Sequence, residues 1–275
     1  MIFASLASGS SGNCTLAAAN GSAVLIDCGV SAKRIKESLA ALGIEIGRLD
    51  GIFLTHEHSD HIKGLKRMMS AFGVPVYASE GTLSALAAVT RDEYFQFAGR
   101  ALMHAIPTEH WVELGAFRIQ PFCTSHDAKA PYGYRIETAA EPKQAVGVMT
   151  DTGYFSDEMR DHLTALDAVL LEANHDRTML TEGPYPPALK RRIMSQRGHL
   201  SNNAAGQLLS EILSPRLHDV LLGHMSKDNN TSALAIRTVE EEVAARCGSD
   251  ALHALTITVA PHDGISRVIR IGETH

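Results

Sequence analysis

Three histidines, a glutamate and an aspartate crowd into six residues of Thr55-His56-Glu57-His58-Ser59-Asp60-His61. Imidazole nitrogen and carboxylate oxygen are the donors that borderline divalent cations accept, so the string reads as a metal site. An apolar run, Gly51-Ile52-Phe53-Leu54, stops just before it, and a helical pattern starts just after it. In the extended segment, His56 and His58 are two residues apart and point the same way, so they can chelate one ion. Asp60 and His61 then face a second ion, and Asp60 is also placed to cap the helix that follows.

Such donors need elements that present strand ends. Four short apolar runs end on a ligand-type residue: 50–56 on His56, 144–151 on Asp151, 167–172 on Glu172 and 219–224 on His224. Val24-Leu25-Ile26-Asp27 is a fifth. Runs this short and apolar on both faces read as buried strands of α/β architecture, whose carboxyl ends are where open sheets place ligands. Helical patterns over 31–42, 62–72, 82–88, 156–163, 203–213 and 232–245 separate them. The 62–72 segment keeps Ile62, Leu65, Met68, Met69 and Phe72 on one stripe, with Lys63, Lys66 and Arg67 outside it. Between 113 and 136 the pattern is hairpin-like, and His126 follows a strand end there. Residues 183–187 read as a loop.

With 275 residues, 45% of them hydrophobic, the chain can bury a full core, and we expect one domain over 1–275. No basic segment precedes a long apolar stretch and no run is long enough to cross a bilayer, so a soluble, cytoplasmic protein without membrane partners is expected. Cys14, Cys28, Cys123 and Cys247 lie far apart without CxxC spacing, which argues for reduced, mostly buried thiols. The net charge of −6 excludes a globally basic surface for nucleic acid. A polyanion would have to be met locally, by Lys190-Arg191-Arg192 with Arg197 or by Lys63, Lys66 and Arg67, although each group reads equally as a solvated helix face.

Taken together, these residues resemble the metallo-β-lactamase fold. Asp27 matches its first motif, HxHxDH at 56–61 the second, His126 the third, Asp151 in Met149-Thr150-Asp151-Thr152-Gly153 the fourth, and His224 the fifth. The resemblance implies an α/β fold, a four-layer αββα sandwich of two mixed sheets with outer helices. It also implies two divalent metal ions, zinc or manganese, with iron as a third candidate. His56, His58 and His126 would hold one ion, Asp60, His61 and His224 the other, and Asp151 would bridge them. Aspartate at the fourth motif is similar to phosphoester or thioester hydrolases rather than lactamases.

Two segments, Gly198-His199-Leu200-Ser201-Asn202-Asn203 and Leu222-Gly223-His224-Met225-Ser226-Lys227, resemble paired segments of the phosphodiesterase branch that contains tRNase Z and RNase J. That resemblance implies that His199 donates a proton to the leaving oxygen. Glu172 would then orient His199, or else support a ligand histidine. The segments 5–14, 25–29, 124–128 and 223–231 look like the bacterial WalJ/YycJ-type hydrolases, a family associated with 5′-to-3′ exonuclease activity on DNA. The short connections leave no room for a β-CASP insertion or a tRNase Z arm.

The resemblance thus implies a metal-dependent phosphodiesterase in which Asp60 orients a metal-activated hydroxide for attack on phosphorus. DNA rather than RNA is the expected substrate and partner, and the enzyme is a monomer or homodimer. The alternative is a hydrolase of a small cyclic phosphodiester or of a glyoxalase II-type thioester. Asn13, Ser201, Asn202, Lys227 and Asn230 are expected to touch substrate. For Lys227, Asn229 and Asn230, capping of the helix near Ser232 is the competing reading. The Ser8-Gly9-Ser10-Ser11-Gly12-Asn13 loop lacks the P-loop lysine, and reads either as a phosphate cradle or as a tight hairpin near the metals.

Overall fold

The computed structural model describes residues 1–108 and 110–272. The N-terminal half builds β1 (Ile2–Ala7), β2 (Cys14–Ala19), β3 (Ser22–Ile26), α1 (Ala32–Ala41), β4 (Leu49–Phe53), α2 (Ser59–Ile62), α3 (Leu65–Phe72), β5 (Val76–Ala78), α4 (Glu80–Thr90) and β6 (Met103–Ala105). The remainder builds β7 (Val112–Leu114), β8 (Phe117–Cys123), β9 (Tyr132–Thr138), β10 (Ala145–Met149), α5 (Asp157–His162), β11 (Ala168–Glu172), α6 (Arg177–Glu182), α7 (Pro187–Ile193), α8 (Asn202–Ile212), β12 (Asp219–Gly223), α9 (Ser232–Cys247), β13 (Thr256–Val259) and β14 (Ile269–Arg270). Two seven-stranded sheets result, in the orders β14-β1-β2-β3-β4-β5-β6 and β13-β12-β11-β10-β9-β8-β7. Each is mixed: β3 to β6 run parallel in the first and β10 to β13 in the second, with antiparallel strands on the other side.

Strand side chains alternate between two apolar compartments, which is what a sheet buried on both faces requires. Val24 and Ile26 enter a central cluster between the sheets with Phe3, Phe53, Phe117, Tyr134 and Leu170, while Ala23 and Leu25 enter an outer cluster beneath α1, α3 and α4. On the other side, Val169, Leu171, Val220 and Leu222 pack outward against α5, α8 and α9. Three apolar compartments separate four layers, helix-sheet-sheet-helix. Full burial of each large side chain contributes about 1.5–3 kcal/mol. The central layer also positions chemistry: the buried Tyr134 hydroxyl donates to Leu54 O at 2.6 Å and Tyr132 N–H to Thr55 O at 2.9 Å, pinning the chain where the histidine string begins.

Several sequence expectations change here. The helix expected over 62–72 is broken into α2 and α3 at Gly64, where a Cβ would lie 2.2 Å from the Val30 carbonyl. The loop after β3 passes in backbone contact at that point, with Gly64 N–H donating to Cys28 O at 2.8 Å. Asp60 does not cap the helix. His58 holds that position, and Asp60 lies in the first turn with its carboxylate turned to the neighbouring histidines. Residues 177–193, to which no helical span was assigned, carry α6 and α7, and the expected 183–187 loop is the break over 183–186 between them. Pro121 sits inside β8, beyond the reach of β7, so its missing N–H leaves no partner bare. Only two cysteines, Cys14 and Cys28, are buried; Cys123 and Cys247 are exposed. Among the described residues no helix is long and apolar enough to cross a membrane.

Candidate metal centre

The donors gather at the carboxyl ends of β3, β4, β8, β10, β11 and β12. Asp27 and His224 follow a strand directly and Asp151 follows one after Thr150, and all three take left-handed backbone angles, with φ of 64°, 56° and 52°. Asp and His tolerate that region better than most side chains, and the turn aims them across the sheet edge. Ser8 Oγ accepts the His224 N–H at 2.7 Å and holds the last of these turns.

Among the described residues, four groups have donor atoms within 4.8 Å of one another inside each group: His56, His58 and His126; Asp60, His61 and His224; His56, His61 and Asp151; and Asp151, Glu172, His199 and His224. Asp151 stands at the middle, with Oδ2 3.3 Å from His61 Nε2 and Oδ1 3.4 Å from His224 Nε2 and 3.8 Å from His126 Nε2. The imidazoles form an unbroken chain, His58–His56–His61–His224–His199–His126, with centroid separations of 4.1–5.9 Å.

Acceptors behind the rings fix which nitrogen faces inward. Asp27 Oδ2 takes His61 Nδ1 at 2.7 Å, Gly198 O takes His126 Nδ1 at 3.0 Å, and Glu172 Oε1 takes His224 Nδ1 at 3.2 Å. Each bond keeps the proton on Nδ1 and leaves Nε2 as the lone-pair donor. Thr55, which sequence reading passed over, ties Asp27 in place through its N–H at 2.8 Å and its hydroxyl at 3.0 Å. Only the shared strand-end position of Asp27 and Thr55 could have signalled it.

Burial and crowding by His61, His126 and His58 push the His56 imidazole well below its usual range, so it is neutral. Burial would likewise lower His224, but Asp151, Asp60 and Glu172 outweigh it and hold the ring up to about 10. His61 is raised in the same way by Asp27, Asp151 and Asp60. Protons therefore balance the carboxylates wherever no cation does. His56 Nε2, His224 Nε2, Asp151 Oδ2 and Asp127 Oδ1 are sealed from solvent without a hydrogen-bond partner. An unmet buried polar atom costs about 1–3 kcal/mol, and these four, spread across the donor groups, fit bound divalent cations.

Glu172 is fully buried. Its Oε1 is 2.7 Å from His199 Nδ1 as well as 3.2 Å from His224 Nδ1, while Oε2 accepts Thr152 N–H at 2.9 Å and Leu200 N–H at 3.3 Å. The two sequence readings of Glu172 thus coincide in one carboxylate. Burial alone would raise its pKa, but His199 and His224 hold it well below the usual carboxylate range.

The expected substrate contacts fare differently. Asn13 is buried, with Oδ1 accepting Gly9 N–H at 2.7 Å and Nδ2 3.0 Å from His61 Nε2 and 3.3 Å from Asp60 Oδ2. It braces the donors and closes the 8–13 loop as a tight turn, so the cradle reading gives way. Ser201 caps α8 by accepting Ala204 N–H. Asn202 and Asn230 bond each other reciprocally at 2.8 and 2.9 Å, and Asn230 also donates to Ala173 O. These buried amides clamp two loops together and are spent there. Lys227 is exposed.

A cavity of about 210 Å³ opens on His126, His199 and His224, walled by Tyr185, Leu189, Arg192, Ile193 and Arg197. A broader groove of about 700 Å³ runs from Ser10, Ser59 and Asp60 past Lys63 and Lys66. Another hollow, of about 550 Å³ around Asn20, Arg48 and Glu141, lies at the opposite ends of the strands, away from every donor. Of the first basic cluster, Lys190 is spent on Thr181 O and Arg197 on His126 O, while Arg192 meets Asp127.

Comparison with known proteins agrees with this geometry. Residues 22–225 match the family described as the beta-lactamase superfamily domain. The chain is 37% identical over 239 residues to exodeoxyribonuclease WalJ of Streptococcus pneumoniae serotype 2, covering 87% of each chain. It is 34% identical over 243 residues to exodeoxyribonuclease YycJ of Bacillus anthracis, covering 87% of this chain and 88% of that one. The fold is shared with the metallo-β-lactamase fold protein YhfI from Bacillus subtilis, with a TM-score of 0.66 and 15% identity over 96% of this chain and 98% of that one. From the fold, the strand-end donors and these likenesses, the chain belongs to the beta-lactamase superfamily and, within it, to the WalJ/YycJ family.

Proposed function

We propose that this chain is a dinuclear-metal phosphodiesterase that degrades DNA as an exonuclease from the 5′ end. The observation that carries the reading is the double grip of Glu172 Oε1 on His199 and His224, which couples a proton donor to the metal ligands. The names of the two relatives support the DNA substrate. His56, His58 and His126 would hold one ion, Asp60, His61 and His224 the other, with Asp151 between them. When bound, zinc or manganese ions supply Lewis acidity and bring the pKa of water down to about 7.

The protein's own groups do the rest. Asp60 orients the attacking water, and His199, acting as the imidazolium with Nδ1–H held by Glu172, gives its Nε2 proton to the departing sugar oxygen and is left neutral. Arg197, whose partners are carbonyls, and Lys63 supply the local positive charge that the chain's net charge of −6 withholds, while Arg192 and Lys66 each already meet an aspartate. Residues 1–275 act as one domain, monomer or homodimer. A cytoplasmic location suits the cysteines, which lie far apart in the chain without CxxC spacing.

Purified protein loaded with manganese or zinc should release labelled mononucleotides from duplex DNA. Absence of release, while a small phosphodiester is cleaved rapidly, rejects the DNA reading and favours a small-molecule substrate.

A further inference from the structure

Asp127 follows His126 directly and carries two differently placed oxygens. Oδ2 accepts the Arg192 guanidinium, from Nε at 2.6 Å and from its terminal nitrogen at 2.5 Å. Oδ1 is sealed from solvent, has no hydrogen-bond partner, and lies 3.2 Å from His126 Nε2 and 3.9 Å from His58 Nε2. The carbonyl of Gly198 can only accept, so the proton of His126 stays on Nδ1 and Nε2 presents a lone pair. Two lone pairs therefore face each other across 3.2 Å, a repulsive arrangement unless a cation lies between them. Two donors bound tetrahedrally to one ion at 2.0–2.1 Å lie about 3.3 Å apart.

We propose that Asp127 is a further oxygen ligand of the ion held by His56, His58 and His126, and that Arg192 fixes its carboxylate by holding the other oxygen. The proposal rests on the metal-centre reading above. It ties the first ion to α7, because Arg192 also walls the 210 Å³ cavity over His126 and His199. An anion entering that cavity competes for the guanidinium that orients the ligand.

The test uses Co²⁺ as the probe. Metal-free full-length protein is titrated with Co²⁺ against a competing chelator, and affinity and visible absorption are followed for wild type, Asp127→Asn, Asp127→Ala, Arg192→Ala and His58→Ala. Both Asp127 variants should lose about 10–100-fold in affinity for one ion, the size of effect seen when the support of a metal site is removed, and should shift the band that His58→Ala abolishes. The other ion should bind as in wild type. Arg192→Ala should weaken the same ion by a smaller factor.

Wild-type affinity and an unchanged spectrum in the Asp127 variants overturn the proposal. So does a fall in the melting temperature of the metal-free variants without spectral change, because that marks Asp127 and Arg192 as a plain tether for α7. If the Asp127 variants do not fold, Arg192→Ala decides by the same spectrum. Failure of the wild type to bind any ion would instead reject the metal centre itself.

Discussion

Replacing Glu172 by glutamine keeps its shape and removes one charge, at a point where four donors converge. Oε1 serves the His199 and His224 Nδ1 atoms, and Oε2 serves the Thr152 and Leu200 N–H groups. An amide can satisfy only one pair. With its oxygen toward the imidazoles, its NH₂ meets two backbone N–H groups. With its NH₂ toward the imidazoles, both rings must move their protons to Nε2, and His224 then loses the lone pair it needs to bind metal.

Bonds to charged groups contribute about 1.5–3 kcal/mol each, and stranded buried donors cost about 1–3 kcal/mol. Both orientations therefore cost about 3–5 kcal/mol, the scale of breaking a buried charged pair. For a chain of this size that lowers the melting temperature by roughly 10 °C. Turnover should fall by about 10⁴, as when another carboxylate that fixes a catalytic imidazole's tautomer becomes an amide. Bound metal should drop toward one ion per chain. Thermal melts, elemental analysis and single-turnover DNA cleavage on Glu172→Gln check all three. A variant with two ions and turnover within threefold of wild type would refute the shared-carboxylate reasoning.

Asp151→Ala removes the one carboxylate facing His61, His126 and His224 together, and should lose at least one ion and nearly all turnover; two ions by elemental analysis would count against it. His199→Ala should keep both ions and slow single-turnover cleavage by about 10²–10⁴, and a fall in metal content would mean that His199 and His224 have exchanged roles. The metal-free protein should lose stability with rising pH. His224 is held up to about 10 when folded, against about 6.5 unfolded, so its contribution is complete below about 6.5 and vanishes as pH rises through about 10. Melts in chelator should show that decline and melts with manganese should not; a flat chelator profile contradicts it.

His56, Asp151 and His224 were legible because each ends an apolar run, and chain topology brings such ends to one sheet edge. His58, Asp60 and His61 were legible from their crowding beside His56, and the division of the donors between two ions came from the family resemblance. What sequence hid depends on contacts between distant segments. Gly64 breaks a sound amphipathic pattern because the Val30 backbone crosses there. Asn202 and Asn230 resemble substrate ligands until they are found bonded to each other. Asp127 passed as an ordinary residue after a histidine, since only the approach of α7 gives its two oxygens different partners. The 8–13 loop could be read as a tight hairpin, but the strands β1 and β2 that flank it were not assigned, since their alanine-rich sequences carry few of the branched side chains that mark β structure.

The backbone turns at Asp27, Asp151 and His224 bear on how copies of this gene age. A left-handed residue with a side chain costs about 1–2 kcal/mol, and glycine relieves it. A lineage that no longer needs hydrolysis can therefore become sturdier by exchanging Asp151 or His224 for glycine. Decayed paralogues of the fold should show glycine at these corners early, well before their apolar layers erode.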